Sequence, residues 1–122
     1  MKFFVFYFSG TGNTKWAISE LKDNIVKKGH ECKIHSIDTE IINLEEIINE
    51  ADTIGFAFPI YGCNIPNIMK KYINQFKDIL NVNCGKSAFI ITTGGYIDGF
   101  GPFSANKILK SNGLNLIGYI NL

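Results

Sequence analysis

The chain has 122 residues, 46% of them hydrophobic and 19% charged, and a formal net charge of +1. That length fits one domain, residues 1–122, with enough apolar side chain for a core that needs no disulfide or metal staple. The composition excludes a disordered chain. All 12 basic residues are lysines, set against 11 acids, so there is no basic excess and no bidentate reader of phosphate or guanine, and nucleic acid is not an expected partner.

No stretch approaches the ~20 apolar residues of a membrane span. The start, Met1-Lys2 followed by Phe3 to Phe8, is too short an apolar run for a signal peptide and leads into Ser-Gly-Thr-Gly rather than a cleavage site. Cys32, Cys63 and Cys84 form neither a C-x-x-C pair nor a metal spacing, so a reducing cytoplasm is the expected location.

Lys2–Phe8 is a continuous aromatic and β-branched run, as expected of a strand buried on both faces. From Thr14 to Lys28, Ala17, Ile18, Leu21 and Ile25 recur at helical spacing, and Gly29 stops the helix. Cys32–Asp38 reads as a second strand. Asn43 caps a short helix with Leu44, Ile47, Ile48 and Ala51 facing inward. Thr53–Pro59 is a third strand, ended by a residue that lacks an N–H. Pro66 opens an amphipathic helix carrying Ile68, Met69, Tyr72, Ile73, Phe76 and Leu80. Ser87–Thr93 is a fourth strand, followed by a glycine-dense loop to Pro102. A helix over about 103–110 ends at Asn112-Gly113, and Leu114–Leu122 is a fifth strand. Strict alternation of strand and helix implies a doubly wound α/β sandwich around a parallel sheet.

The strongest chemical signal is Ser9-Gly10-Thr11-Gly12-Asn13-Thr14, between the first strand and the first helix. A helix N-terminus at the carboxyl edge of such a sheet suits phosphate. Two glycines let the backbone wrap closely, and three hydroxyls and an amide add donors. The spacing is neither the Walker A pattern nor G-x-G-x-x-G. A plain capping turn needs one such residue, not this many.

The stretch Tyr7-Phe8-Ser9-Gly10-Thr11-Gly12-Asn13-Thr14 closely resembles the phosphate-binding loop of flavodoxins, with their pattern Ser/Thr-x-Thr-Gly-x-Thr. The resemblance implies a five-stranded parallel sheet in the order 2-1-3-4-5 and FMN as cofactor, its phosphate held by the neutral donors of Ser9, Thr11, Gly12, Asn13 and Thr14. It also implies that two further loops enclose the flavin ring. The first contains Pro59, Ile60, Tyr61 and Gly62; the second runs from Thr93 through Gly94, Gly95, Tyr96, Gly99 and Phe100 to Pro102. Tyr61 and Tyr96 are the expected ring contacts, with Phe100 a further candidate. Gly62 lies in the stretch expected to turn a peptide carbonyl toward N5 of reduced flavin, because glycine tolerates positive φ. Asp98 reads as a solvated loop carboxylate and Cys63 as a bystander. His30 and His35 are expected at surface or edge positions, and Trp16 over the phosphate loop.

The resemblance points to an electron carrier shuttling low-potential electrons between redox partner proteins, ferredoxin-type or reductase, rather than a stand-alone enzyme. The cofactor supplies the one-electron chemistry. An NAD(P)H-dependent flavin or quinone reductase of the same fold, and a flavin-free interaction domain, stay open. The chain also looks like the flavodoxin module that precedes ferredoxin-type domains in some anaerobe proteins, without the cluster cysteines. Flavodoxins are generally acidic, and a charge of +1 removes most of that steering. The alternation lacks the fifth helix that flavodoxins place beside helix one, so the sheet face there is expected either to be covered by a second subunit, in a homodimer, or to stay exposed and prone to misfolding in a shortened fragment.

Overall fold

The computed structural model describes residues 1–9, 12–39, 42–60, 65–79, 85–94 and 101–122, with the backbone alone at Asn13. Ten elements follow along it, alternating except where two helices stand between the third and fourth strands: β1 (Lys2–Tyr7), α1 (Asn13–Lys27), β2 (Glu31–Ser36), α2 (Leu44–Glu50), β3 (Thr53–Pro59), α3 (Asn67–Asn74), α4 (Phe76–Ile79), β4 (Lys86–Thr93), α5 (Pro102–Lys110) and β5 (Leu114–Asn121). All strand pairs are parallel, and the sheet order is β2-β1-β3-β4-β5. This is the expected doubly wound sandwich, with strand bounds within two residues of the sequence reading.

One sheet face presents Phe4, Phe6, Ile54, Phe56, Phe58 and Ile90 to α2, α3, α4 and α5, which contribute Ile48, Met69, Ile73, Phe76 and Leu109. Rings of Phe6, Phe56 and Phe76 meet at 5.2–6.0 Å, Phe76 edge-on to both others in the arrangement that suits the aromatic quadrupole and Phe6 stacked on Phe56. On the opposite face Val5, Ala57 and Ile91 pack with Tyr7 under Ile18 of α1, and the partly buried rings of Phe3 and Phe89 flank them. The central strand β3 is buried along its whole length, as a continuous apolar run requires.

Two expectations need correction. The single helix from Pro66 to Leu80 breaks at Gln75 into α3 and α4, while Leu80 lies outside the described residues. Asn112, fully buried, explains the break. Its Nδ2 donates to Asn74 Oδ1 and Ile108 O, and its Oδ1 accepts from the Lys77 N–H at the start of α4. A distant side chain thus satisfies a backbone group that the interrupted helix leaves open. Trp16 does not cover the phosphate loop; it is 69% exposed. It stands two residues, about 200° of helix rotation, from buried Thr14.

The histidines fall as expected. His35, on edge strand β2, stacks on Phe4 and Phe6, and His30 Nδ1 lies 3.1 Å from the chain's amino terminus. No helix among the described residues is long and apolar enough to cross a membrane. No group of three potential metal ligands occurs among them either.

Candidate functional site

β1, β3 and β4 are adjacent and parallel, so the segments that follow them emerge side by side at one edge of the sheet. Ligands of doubly wound folds bind at that edge.

After β1, Ser9 Oγ accepts hydrogen bonds from the Gly12 and Lys15 N–H groups at 3.0 and 3.3 Å. With its oxygen so engaged, the Ser9 hydroxyl proton is left to donate outward. Gly12 is the N-cap of α1, with φ +90°, and a Cβ there would meet nothing within 4 Å. Its requirement for glycine is therefore one of backbone conformation, not space. Trp16 N–H closes the first turn on Gly12 O at 3.0 Å. That turn carries no acidic residue, so nothing within the helix offsets its partial positive charge.

Thr14 is 1% exposed, and its Oγ1 lies 2.8 Å from Oγ1 of Thr93, the last residue of β4. The Thr93 carbonyl accepts the N–H of Ile60, the residue after β3, at 3.0 Å. One residue therefore ties together the three segments that leave β1, β3 and β4. Pro59 is buried at the end of β3, opposite Thr93 in the register, and Ile60 is half-buried. Gly94 adopts φ +70° directly after β4, its N–H donating to Leu122 O at 3.3 Å.

Of the residues singled out from the sequence, the structure thus brings Ser9, Gly12, Thr14, Pro59, Ile60, Thr93 and Gly94 to one edge, with the backbone of Asn13. Gly10, Thr11, Tyr61, Gly62, Gly95, Tyr96, Gly99 and Phe100 lie outside the described residues, as do Cys63 and Asp98. The donor set suits a phosphate: hydroxyls, backbone N–H groups and an unneutralised helix start, with no carboxylate between Phe8 and Trp16. Between Thr14 and Thr93, one hydroxyl proton bridges the pair and the other remains to donate.

The sequence reading singled out Thr93 but not its role as a junction, which no local pattern carries. It also missed a cleft of about 400 Å³ between α3 and α5, lined by Ile65, Lys70, Asn74, Ser104, Lys107 and Ile108. Its signal lay in the distribution of charge rather than in its sum.

Fold and site together define a doubly wound α/β domain whose donor-rich carboxyl edge suits a phosphate-bearing ligand. The sequence profile of the family described as "Flavodoxin domain" matches residues 4–94, three-quarters of the chain, and the chain belongs to that family. Flavodoxins bind FMN and transfer electrons, and the cofactor and general role follow from that membership. Among solved structures, the chain is similar to the two-electron reduced flavodoxin of Megasphaera elsdenii, at 19% identity and TM-score 0.77 over 98% of this chain and 85% of that one. It is similar to a flavodoxin from the domain Archaea, at 19% identity and TM-score 0.80 over 100% and 84%. It also matches 30% of the flavodiiron protein of Giardia intestinalis, at 17% identity and TM-score 0.79 over 98% of this chain. No curated protein sequence matches it.

Proposed function

We propose that residues 1–122 form a single FMN-binding unit that carries low-potential electrons between redox partner proteins. The FMN phosphate would lie on the Ser9–Thr14 segment. The ring would lie between the segments that begin at Pro59 and Thr93 and carry Tyr61, Gly62, Tyr96 and Phe100. The observation that supports this best is the Thr93 junction, because it fixes the three segments relative to one another before any ligand enters, and preorganisation lowers the cost of binding. When bound, FMN supplies one-electron chemistry; the chain's own residues bind, orient and shield it.

An absorption spectrum of the purified protein, with and without added FMN, tests the reading. A protein-bound flavin spectrum and quenched FMN fluorescence are expected. A chain that leaves FMN fluorescence unchanged would be an interaction domain instead. Rapid bleaching by NADPH without any other protein would make it a reductase.

Cys32 is a free, buried thiol, in keeping with a reducing compartment such as the cytoplasm. The sheet face beside α1 has a recess of about 180 Å³ lined by Phe3, Leu21, Ile25, Phe89 and Ile120. Ile120 is 52% exposed, and a second copy of the chain would cover that apolar surface. Sedimentation at micromolar concentration decides this: a dimer is expected, and a monomer rejects it.

A further inference from the structure

The net charge of +1 conceals a division along the chain. Residues 1–52 hold 6 lysines against 9 acids, a net −3, and residues 53–122 hold 6 lysines against 2 acids, a net +4. The fold turns that division into geometry. α2, α3, α4 and α5 lie on the same sheet face. α2 carries Glu45, Glu46 and Glu50, whereas α3 and α5 carry Lys70, Lys71, Lys107 and Lys110. One end of this helical layer is acidic and the other basic.

The cleft between α3 and α5 lies in the basic part. Its apolar surface comes from Ile65 and Ile108, and Lys70 and Lys107 stand on opposite helices. Both lysines are exposed, and neither forms an ion pair among the described residues. Ile65 belongs to the segment after β3, and Ser104 to the first turn of α5, just past the loop after β4. The cleft therefore begins at the two segments that flank the proposed ring site. Beside Ser104, Phe103 is 83% exposed. An apolar strip rimmed by unpaired cations fits a protein surface of opposite charge, because complementary potentials steer encounter and fix register.

We infer that the α3–α5 cleft is the docking surface for an acidic redox protein, which it seats with its own redox centre toward the flavin edge. The inference rests on the electron-carrier reading. It assigns partner choice to a local basic strip rather than to the charge of the whole molecule.

Stopped-flow transfer from a reduced plant-type ferredoxin, a small acidic iron–sulfur protein, to the FMN-loaded chain tests it. The rate is expected to fall at least about tenfold between about 20 and 300 mM salt. The charge reversal Lys70→Glu with Lys107→Glu is expected to slow transfer about tenfold at low salt. Lys22→Glu with Lys33→Glu makes the same change in net charge away from the cleft and is expected to slow it less than about twofold. Reoxidation of the reduced flavin by benzoquinone, which is uncharged, is expected to be the same in all forms. If both charge reversals slow ferredoxin equally, or neither does, while benzoquinone reoxidation is normal, the cleft is not the docking surface. If the chain takes up no FMN, or exchanges electrons with benzoquinone but with no protein, the carrier reading fails and this inference fails with it.

Discussion

Thr14 and Thr93 are separated by 79 residues, yet their hydroxyl oxygens meet at 2.8 Å in a part-buried contact, with Thr14 itself 1% exposed. The pair joins the first turn of α1 to the end of β4. Thr93→Val removes one hydroxyl and leaves the Thr14 oxygen buried without its partner, which costs about 1–3 kcal/mol. Urea unfolding is expected to show that loss, and FMN titration a weaker dissociation constant. The double variant Thr14→Val with Thr93→Val removes both polar groups and is expected to recover part of the stability but not the FMN affinity. An equal loss of stability in the single and the double variant would mean that the pair does not link the segments.

Ser9 and Gly12 separate chemistry from conformation in the phosphate loop. Ser9→Ala deletes the acceptor of two backbone N–H groups, so both stability and FMN affinity are expected to fall, by about 1 kcal/mol each. Gly12→Ala meets no steric obstacle, but its φ of +90° is unfavourable for an L residue, and a cost of about 1–2 kcal/mol is expected. Gly12→Asn, whose side chain tolerates that region better, is expected to lie between alanine and wild type in thermal unfolding.

The sheet and most helices were legible because their cues are local. Thr53–Pro59 is apolar after its first residue, since both of its faces are covered. Asn43 caps α2 as its position suggests, its Oδ1 accepting from Glu46 N–H at 3.1 Å. The break between α3 and α4 was not legible, since Asn112, the residue responsible, lies about forty positions away in another turn. The phosphate loop was readable from Ser9 to Thr14 as a run of donors. The Thr93 junction was not, for it exists only once β4 is placed next to β3. The basic cleft was hidden by a near-zero sum, which reports nothing about where charges lie.

Gly55 on β3 lies directly beneath the ring of Phe89 on β4. A Cβ at Gly55 would come within 2.3 Å of Phe89 Cζ and 2.5 Å of Cε2. Gly55→Ala must therefore displace the ring, and a loss of about 1–3 kcal/mol is expected from overpacking. Adding Phe89→Leu, which shortens the obstructing side chain, is expected to restore part of the stability. Additive losses in thermal unfolding would show that the two positions do not compete for the same space.

Lys86, at the start of β4, donates from Nζ to the carbonyls of Ile48 and Ala51 at the end of α2. α2 has no basic residue in its last turn, and Glu50 stands at its final position. The cation that the helix lacks in sequence thus comes from a neighbouring strand and satisfies carbonyls that have no partner within the helix. Lys86→Met keeps the aliphatic stem and removes the charge, so about 1–2 kcal/mol of stability is expected to be lost. Amide exchange in α2 should accelerate more than in α5, whereas a uniform change would place the effect elsewhere.

Cys32 is buried on β2, and burial pushes its thiol pKa up from the ordinary 9.0, with Lys22 pulling it partly back. The folded chain therefore holds this proton more tightly than the unfolded chain does. Its contribution to stability is fully present below pH 9.0 and is lost as pH rises through the raised folded value. Chemical unfolding between pH 8 and 10.5 is expected to show a decline that is shallower in Cys32→Ala, whatever the variant's stability at neutral pH. Alkylation by iodoacetamide provides a second check, because a buried thiol with little thiolate reacts slowly. Cys32 is expected to react faster in urea than in the native chain, and equal rates in the two states would contradict its burial.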